Sequence, residues 1–533
     1  MSESQKKQNF LQGTALLAMA TAIVKVIGAL YKIPLNAIIG EQGFSYFNTA
    51  YEIYTVLMTI SVAGLPVAIS RMISESTALG HYNQVRQIYR TGRSVSLTLG
   101  ILGSLLMTVF CKQLAQFQEQ PDAWFAIGCL GPALLLICIM GTFRGFFQGQ
   151  GDMAPTAISQ VLEAVCKLIV GMGAAIALLE MTGQYSFAAG GAILGVTTSC
   201  VLSVIYLFLR YRKAKRALPV SDEPVTGFGA TLKQLLSIAI PITIGSAGLS
   251  ILTVLETKVY MSQLIGLGYS QDQADVMKGI YDMSKTIFNL PIAFVTPISV
   301  SIVPAITAHV AVKNYDGTKA TEESALRVLA LVCAPCAIGL MVLSRPVMGL
   351  LGGYTGENLE LAGILMALLA SSIPFSAMIM VTNAVMQAHG HANLPVINML
   401  IGGLIKLSCT FILTRNPHLG IIGAPISALL GYLSIMTLNL LTLRRCTEKP
   451  PAALRQLIRP ALAAVLMGAV VLAFRLALEY MMGPDCSHLI LTALPILVGV
   501  AVYAFAAIKL KAITRADCLL LPKGEKIADI LHL

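Results

Sequence analysis

Two lysines lie seven residues apart in an otherwise apolar run near the start of the sequence. Lys25 and Lys32 belong to the stretch TAIVKVIGALYKIPL at residues 21–35. Seven residues make about two turns of an α-helix, so both ammonium groups are expected on one face, with Gly28 between them. A lysine at the centre of a bilayer costs about 2.5–3.5 kcal/mol. The pair therefore indicates a polar cavity, in which an ammonium group can hold an anion such as phosphate.

Charged and polar residues recur in other apolar segments of the sequence. Charged side chains inside membrane segments usually face a cavity or pair with one another. The lysines among them outnumber the acids, which favours an anionic substrate over a cationic one. The predicted substrate-binding residues are Lys25, Lys32, Glu52, Glu256, Lys258, Asp282, Lys285, Asn289 and Lys406.

Some of these positions also have a structural interpretation, which the sequence leaves open. Lys25 and Lys258 can form structural ion pairs with Glu52 or Glu256. Lys406 can pair with an acid on another helix, and Lys32 can lie at the membrane interface. Glu163 and Lys167 are four residues apart with the acid first, which predicts an intrahelical ion pair. For that last pair a structural role is the favoured interpretation.

The composition indicates the class of protein. Of the 533 residues, 56% are hydrophobic and 12% are charged, whereas soluble domains carry about 25% charged residues. We therefore predict an all-α integral membrane protein. The net charge of +11 does not indicate a nucleic-acid partner, because the basic residues cluster in short loops and a single Trp leaves no basic and aromatic pattern for stacking bases.

The sequence lacks the motifs of several enzyme classes. It contains no G-x-x-x-x-G-K-[ST] loop for nucleotide phosphates and no H-E-x-x-H metal motif. His389 and His391 are close enough to contact a metal, but they fit a short turn better. No catalytic residue, metal ligand or cofactor is therefore predicted, and an enzyme is not expected.

Windows of about 20 apolar residues indicate transmembrane helices. The sequence contains fourteen such windows, and several are interrupted by Gly or Pro, which membrane helices tolerate where neighbouring groups satisfy the freed backbone. The predicted spans are 11–39, 44–70, 92–111, 123–147, 155–179, 185–209, 232–263, 278–305, 325–344, 359–387, 395–413, 419–443, 457–479 and 487–508.

The basic loops predict the orientation of the chain in the membrane. The basic stretches RYRKAKR at 210–216 and RRCTEKP at 444–450 follow predicted spans six and twelve. An even number of spans separates them, so they lie on the same side of the membrane, which the positive-inside rule identifies as the cytoplasm. Both termini are therefore expected in the cytoplasm, with an even number of spans. Few basic residues fall in the predicted external loops, namely Lys112, Lys278, Arg345 and Arg415.

The two halves of the chain resemble each other. QGQGDMAPTAISQVLEAVCKL from Gln148 aligns with QAHGHANLPVINMLIGGLIKL from Gln387, so spans one to six correspond to spans seven to twelve. An even number of spans in each repeat makes the repeats parallel. We predict two six-helix lobes around a central cavity, followed by two further helices. The predicted domains are the N-lobe at 1–210, an interlobe linker at 211–231, the C-lobe at 232–443, a cytoplasmic loop at 444–456, and the last two spans with a cytoplasmic tail at 457–533.

Three stretches carry a resemblance to a known family. They are VKVIGALYKIPLNAIIG at 24–40, GLPVAISRMISE at 64–75 and FRGFFQGQGDM at 143–153. With the fourteen spans, they resemble the MOP (multidrug/oligosaccharidyl-lipid/polysaccharide) exporter superfamily. Within it, the chain is similar to the polysaccharide-synthesis branch that contains stage V sporulation protein B and the MurJ-type lipid II flippases.

The resemblance implies a flippase in the bacterial cytoplasmic membrane. Its substrate would be an undecaprenyl-pyrophosphate-linked cell-wall precursor, expected to be lipid II, moved to the outer leaflet by alternating access. In such proteins basic residues of span one bind the pyrophosphate, and Lys25 and Lys32 match those positions, although the family often has Arg there. Spans thirteen and fourteen are thought to form a groove for the lipid tail.

The resemblance leaves several alternatives open. The chain could move another lipid-linked polysaccharide unit, or be a cation-coupled multidrug antiporter of the same fold, although the surplus of lysine argues against cationic drugs. A scaffold without transport activity is a further alternative. The expected partners are the lipid-linked anionic oligosaccharide, membrane lipids and cell-wall synthesis proteins. Transport could be driven by a coupling ion, bound by the intramembrane acids, or by the membrane potential.

Overall fold

A computed structural model describes residues 3–219, 223, 225–482 and 487–512. The side chain of Lys25 lies outside this described part, although the helix that carries it is within it. Throughout the described ranges the chain is helical, with short connections and no strand. The prediction of an all-α protein is therefore confirmed.

The described residues form seventeen α-helices, and two short 3₁₀ turns lie at Pro121–Ala123 and Gly420–Ile422. The first nine helices are α1 (Glu3–Val62), α2 (Leu65–Ala78), α3 (Tyr82–Val109), α4 (Cys111–Phe117), α5 (Trp124–Gly149), α6 (Ala154–Thr182), α7 (Tyr185–Ala217), α8 (Phe228–Gly266) and α9 (Gln271–Ala311). The others are α10 (Tyr315–Val342), α11 (Ser344–Gly352), α12 (Gly356–Ala370), α13 (Ile373–Ala388), α14 (Asn393–Thr414), α15 (Gly423–Cys446), α16 (Ala453–Met482) and α17 (His488–Lys509).

Twelve helical segments of the described residues are long and apolar enough to cross a membrane. The predicted count of fourteen is therefore approximate. Predicted spans one and two both fall in the continuous stretch formed by α1 and α2, of which Leu30–Ala78 is one of the twelve segments. The predicted eighth span corresponds to α9, which is not among the twelve.

Gly40 bends α1 between the first two predicted spans. Its backbone has φ 65° and ψ 178°, which interrupts the helical conformation. A positive φ is accessible to glycine without the clash that a β-carbon would produce. The chain therefore passes from the first span to the second at one residue rather than through a loop.

Contacts divide the chain into two units, Met1–Gly279 and Ile280–Leu533. The boundary lies within α9, so the first unit contains α1 to α8 and the beginning of α9. The lobe boundaries expected from the internal repeat remain a prediction.

Close packing of α6 on α7 shapes the first unit. A β-carbon at Gly195 would collide with the backbone of Gly171, and one at Gly191 would meet the carbonyl of Ala174. Small residues let the backbones of membrane helices approach closely, where dispersion and polar contacts replace the hydrophobic effect. This seam fixes α6, the helix that carries Glu163 and Lys167.

Candidate functional site

A polar cavity of about 230 Å³ lies among α1, α5 and α6 in the first unit. We call it the cationic pocket. Its polar and charged lining comes from Thr21, Tyr31, Arg144, Gln160, Glu163 and Lys167. The α6 members follow a spacing of three and four residues, so they share one face of that helix. The pocket is a charged site inside a segment that is otherwise apolar.

Arg144 reaches the pocket because of the helix face on which it lies. The rings of Phe143 and Phe146 pack near Tyr89 and Tyr211, with centroids 6.0 Å apart for Phe143 and Tyr89 and 5.0 Å for Phe146 and Tyr211. Successive residues of a helix are rotated by about 100°. Arg144 therefore points away from the aromatic rings and towards α6.

The guanidinium of Arg144 makes two directed contacts with α6. Its Nε donates to Ser159 Oγ at 3.1 Å, and its Nη2 donates to Glu163 Oε2 at 3.1 Å. The Ser159 hydroxyl in turn donates to the carbonyl of Thr156 at 2.8 Å. Glu163 therefore pairs with Arg144, and the prediction that its partner is Lys167 is wrong.

Lys167 makes no ion pair or hydrogen bond with the residues that the structure describes. Its ammonium lies over the rings of Tyr31 and Tyr51, at 5.3 and 5.2 Å from their centroids. Such cation–π contacts contribute about 0.5–2 kcal/mol, less than burying an ammonium group without an anion costs. The pocket thus holds two cations and one carboxylate.

The two lysines of the first span are not both placed by the structure. Lys25 has its side chain outside the described residues. Lys32 lies further along α1, where its Nζ donates to Asn48 Oδ1 at 2.8 Å and lies 5.9 Å from the centroid of the Phe44 ring. The expected common cavity for the two ammonium groups stays a prediction.

A second group of polar side chains, the Gln120 cluster, consists of Ser45, Tyr46, Thr49, Gln120, Gln271 and Asp275. Gln120 Nε2 donates to Ser45 Oγ at 2.5 Å and to Asp275 Oδ1 at 2.6 Å, while Thr49 donates to Gln120 Oε1. Asp275 also accepts from Tyr46 at 3.1 Å and from Gln271 at 3.1 Å. The cluster ties α1 and the connection after α4 to the first turns of α9.

Lys278 lies one turn beyond Asp275 and is fully buried. Its Nζ is 4.0 Å from Oε1 of Glu52, one of the predicted site residues. The assignment of Lys278 to an external loop is therefore wrong, because α9 begins at Gln271 and buries this side chain. An acid from the second predicted span and a basic residue of α9 thus meet inside the first unit.

Two further predicted site residues lie on α8. Lys258 Nζ donates to the carbonyl of Phe117 at 2.7 Å and to Glu119 Oε1 at 3.2 Å. Its ion-pair partner is thus Glu119 rather than one of the expected acids, Glu52 or Glu256. Glu256 is buried, with 7% of its surface exposed.

The remaining predicted site residues belong to the second unit. Lys285 Nζ is 2.6 Å from Asp282 Oδ1, and Asn289 Nδ2 donates to the carbonyl of Lys285 at 2.8 Å. Lys406 lies with its ammonium 5.9 Å from the centroid of the Tyr432 ring. Asp282, Lys285 and Asn289 are thus adjacent on α9, and Lys406 lies on α14.

A buried amide network joins three helices of the second unit. Asn439 on α15 donates to Thr382 Oγ1 at 2.9 Å and to Asn383 Oδ1 at 2.8 Å on α13. Asn398 on α14 donates to Asn439 Oδ1 at 3.0 Å. This network is a structural feature that hydropathy windows do not reveal.

The histidine pair near the end of α13 does not form part of a metal cluster. His389 Nε2 is 2.8 Å from Glu322 Oε1. No group of three or more potential His, Cys, Asp or Glu ligands occurs in the described ranges. The interpretation of this segment as a turn agrees with its conformation, because His389 and Gly390 follow the last helical residue of α13.

Arg144 was absent from the residues selected from the sequence. It lies in FRGFFQG, close to the end of a predicted span, where a basic residue is readily attributed to the adjacent loop. The feature of the sequence that indicates a buried role for Arg144 is its position in an apolar run. Only the packing of α5 shows that its side chain points into the protein.

Comparisons with known proteins agree with this architecture. The family described as polysaccharide biosynthesis protein matches residues 10–309. Lipid II flippase MurJ of Bacillus subtilis (strain 168) is 25% identical over 452 residues, which cover 82% of each chain. Stage V sporulation protein B of the same organism is 26% identical over 444 residues, covering 82% of this chain and 84% of that relative.

Solved structures share the fold at lower identity. Lipid II flippase MurJ in an inward closed conformation has a TM-score of 0.69 at 14% identity, covering 92% of this chain and 98% of that one. An inward-facing multidrug MATE transporter of the MOP superfamily has a TM-score of 0.66 at 15% identity, covering 80% and 98%. The chain therefore belongs to the polysaccharide biosynthesis protein family, and it is a multi-pass bacterial membrane protein with the MurJ and MATE-like fold of the MOP transporters.

Proposed function

We propose that the chain is a flippase that moves an undecaprenyl-pyrophosphate-linked cell-wall precursor, lipid II, across the bacterial cytoplasmic membrane. Family membership supports a membrane transporter, and similarity to lipid II flippase MurJ of Bacillus subtilis supports this substrate. The protein would work by alternating access, with both termini in the cytoplasm. Membrane lipids and cell-wall synthesis proteins would be its partners.

One observation carries the proposal, namely the unbalanced charge of the cationic pocket. Glu163 forms an ion pair with Arg144 and also attracts the Lys167 ammonium from beyond ion-pair distance, so one carboxylate faces two basic groups in the pocket. A second positive charge in a membrane segment is costly unless an anion compensates it. A pyrophosphate group supplies such an anion, and an ammonium is a suitable point-charge partner for it.

The same charge balance argues against a multidrug antiporter of cationic compounds. A cationic drug would approach Arg144 and Lys167 against their repulsion, with Glu163 as the single acid of the pocket lining. Lys25, which lies on α1, remains a proposed additional contact. The membrane potential could drive the movement of a charged group at about 2.3 kcal/mol per charge per 100 mV.

The test is complementation in a bacterial host depleted of its lipid II flippase. Survival and the leaflet accessibility of lipid II would be scored for the wild-type chain, Lys167→Gln and the matched control Lys112→Gln. Lys112 also lies over an aromatic ring, Trp124 at 5.4 Å, but outside the pocket. We expect the wild type and Lys112→Gln to restore growth and flipping.

Lys167→Gln is expected to fail in this assay while reaching the membrane in equal amount, and Lys25→Ala is expected to behave in the same way. A fully active Lys167→Gln variant would contradict the proposal that the charge of Lys167 holds the substrate anion. Absence of rescue by a well-expressed wild-type chain would contradict lipid II as the substrate. Polymer export and drug efflux would then be measured, because each identifies one of the alternatives.

A further inference from the structure

Residues 117–120 connect α4 to the 3₁₀ turn before α5, and three helices of the first unit hold them in place. We call them the 117–120 connection. Lys258 of α8 donates to the carbonyl of Phe117 at 2.7 Å, and Gln271 of α9 donates to the carbonyl of Glu119 at 2.6 Å. The Gln120 cluster attaches the same connection to α1. The connection therefore joins α1, α8 and α9 at this end of the unit.

Two features make the bound arrangement of this connection costly. Glu119 has φ 55°, in the left-handed region that residues with a β-carbon seldom adopt. Gln118 is fully buried, and neither polar atom of its amide has a hydrogen-bond partner among the described residues. Strained residues of this kind occur in switch regions, and a buried amide without a partner is satisfied once water reaches it.

Asp275 is the titratable group at the centre of these contacts. Its side chain is fully buried. It accepts hydrogen bonds from three side chains, which are Tyr46 at 3.1 Å, Gln120 at 2.6 Å and Gln271 at 3.1 Å. These donors belong to α1, to the 117–120 connection and to α9. A change in the charge of this one carboxyl group therefore acts on two elements besides its own helix.

The basic groups near Asp275 are shared with other acids. Lys278 lies 4.0 Å from Glu52, and Lys258 lies 3.2 Å from Glu119. The charged side chains that face this region from α1, the 117–120 connection and its following turn, α8 and α9 are Glu52, Glu119, Asp122, Lys258, Asp272 and Lys278. Because each base has an acid of its own, burial remains the larger influence on Asp275.

Burial raises the pKa of Asp275 from 3.8 to about 6, against the lowering by its hydrogen-bond donors and Lys278. When the connection separates from α9, water reaches the carboxyl group and its pKa returns towards 3.8. The bound arrangement therefore has the higher proton affinity. Its stabilisation by the proton is fully present below pH 3.8 and is lost as the pH rises through 6.

We propose that Asp275 is a proton-binding site that exchanges with the outer aqueous phase, through which external acidity holds the 117–120 connection on α1 and α9. The outward direction rests on the proposed function, in which both termini are cytoplasmic and the α4–α5 and α8–α9 connections lie outside. Loss of the proton to the outer water leaves a buried carboxylate, so the connection separates more readily. Since the proton enters and leaves on one side, it regulates this end of the unit and does not drive transport.

The experiment measures labelling of an added cysteine in intact cells that express the full chain. Ala274→Cys places a thiol beside Asp275 at a fully buried position, whereas Gln273→Cys places one at the exposed neighbouring position. A membrane-impermeant methanethiosulfonate labels both variants at external pH 5 to 7.5, and the wild-type chain gives the background of the native cysteines. The ratio of the two labelling rates removes the pH dependence of the reagent. Ala123→Cys, at a fully buried position next to the connection, is a second reporter.

We expect the rate ratio of Ala274→Cys to Gln273→Cys to rise about tenfold between pH 5 and pH 7.5, as two protonation constants at 3.8 and about 6 require. Asp275→Asn, which cannot titrate, should make the ratio independent of pH. The matched control Asp272→Asn removes an exposed acid three residues earlier on α9 and should keep the tenfold rise.

Three results would overturn the inference. The ratio could be constant or fall with rising pH in both reporters, it could keep its pH dependence in Asp275→Asn, or Gln273→Cys could be inaccessible from outside. The last result would also contradict the proposed orientation. The labelling assay needs no transport substrate, so either of the first two results refutes this site alone and leaves the proposed substrate to the complementation test.

Discussion

The side-chain amide of Gln120 donates a hydrogen bond of 2.6 Å to the carboxylate of Asp275, although the two residues are 155 positions apart in the chain. Both side chains are fully buried. The bond connects the segment after α4 to the start of α9, the helix within which the two units divide. Opening this end of the first unit would therefore require breaking a hydrogen-bonded cluster, not merely separating apolar surfaces.

Gln120→Ala should destabilise the first unit. The substitution removes the partner of Ser45, Thr49 and Asp275 at once, and buried polar groups without a partner cost about 1–3 kcal/mol each. Because hydrogen bonds between membrane helices average only about 0.6 kcal/mol, we expect a loss of about 2–4 kcal/mol. SDS-induced unfolding in mixed micelles measures this quantity.

Gln116→Ala is the control for that experiment, since Gln116 is exposed on α4 close to the cluster. It should unfold like the wild type. If Gln120→Ala and the wild type have the same free energy of unfolding, water must satisfy the polar groups that Gln120 contacts without loss of stability.

The stability of this cluster should depend on pH. Asp275 precedes the predicted eighth span, which starts at residue 278, and burial raises the pKa of Asp275 from 3.8 to about 6, against the opposing effects of Gln120, Tyr46, Gln271 and Lys278. An acid with a higher pKa in the folded state binds more protons there than when unfolded. The free energy of unfolding therefore rises as the pH falls through 6 towards 3.8.

Between pH 7.5 and pH 5 this effect amounts to about 1.4 kcal/mol. Unfolding midpoints of the wild type and Asp275→Asn across this range measure it. Other titrating groups contribute equally to both proteins, so the difference between them isolates Asp275. A difference that is constant with pH would rule out titration of Asp275 in this range.

Glu163→Gln should increase the affinity of the cationic pocket for pyrophosphate. The amide oxygen still accepts a bond from Arg144, but the negative charge that competes with the ligand is gone. Two unit charges 4 Å apart interact with about 4 kcal/mol at an effective dielectric constant of 20, and solvent reduces this. We expect a gain of roughly tenfold, measured by calorimetric titration.

Glu180→Gln is the matched control for Glu163→Gln, because Glu180 is exposed near the other end of the same helix. Its pyrophosphate affinity should be unchanged. A weaker affinity in Glu163→Gln would instead mean that the carboxylate is needed to orient Arg144.

Asn439→Leu should destabilise the second unit. It removes the bonds to Thr382, Asn383 and Asn398, and leaves buried amides without partners. At about 0.6 kcal/mol for each interhelical bond, the loss should be about 2 kcal/mol. SDS unfolding followed by a probe in the second unit tests this, with the exposed Asn393 changed to Leu as the control. A variant as stable as the wild type would show that leucine packing compensates for the network.

The all-α membrane class could be predicted because hydropathy depends on local composition, which can be read directly from the sequence. The partner of Glu163 could not, since four-residue spacing indicates Lys167 whereas tertiary packing brings Arg144 closer. Lys278 was misplaced for a related reason. The helix α9 begins at Gln271, seven residues before the predicted span, so Lys278 near the span end is buried in protein rather than exposed in a loop.

Because α1 bends at Gly40, the part of the helix before this residue can rotate as one arm about it. Lys25 lies fifteen residues from Gly40, and at 1.5 Å per residue this arm is about 22 Å long. A change of about 10° at the bend would displace its end by about 4 Å, because no loop is present to absorb the rotation. The dihedral angles of one glycine thus set how far the start of the chain can swing while α1 remains helical on both sides.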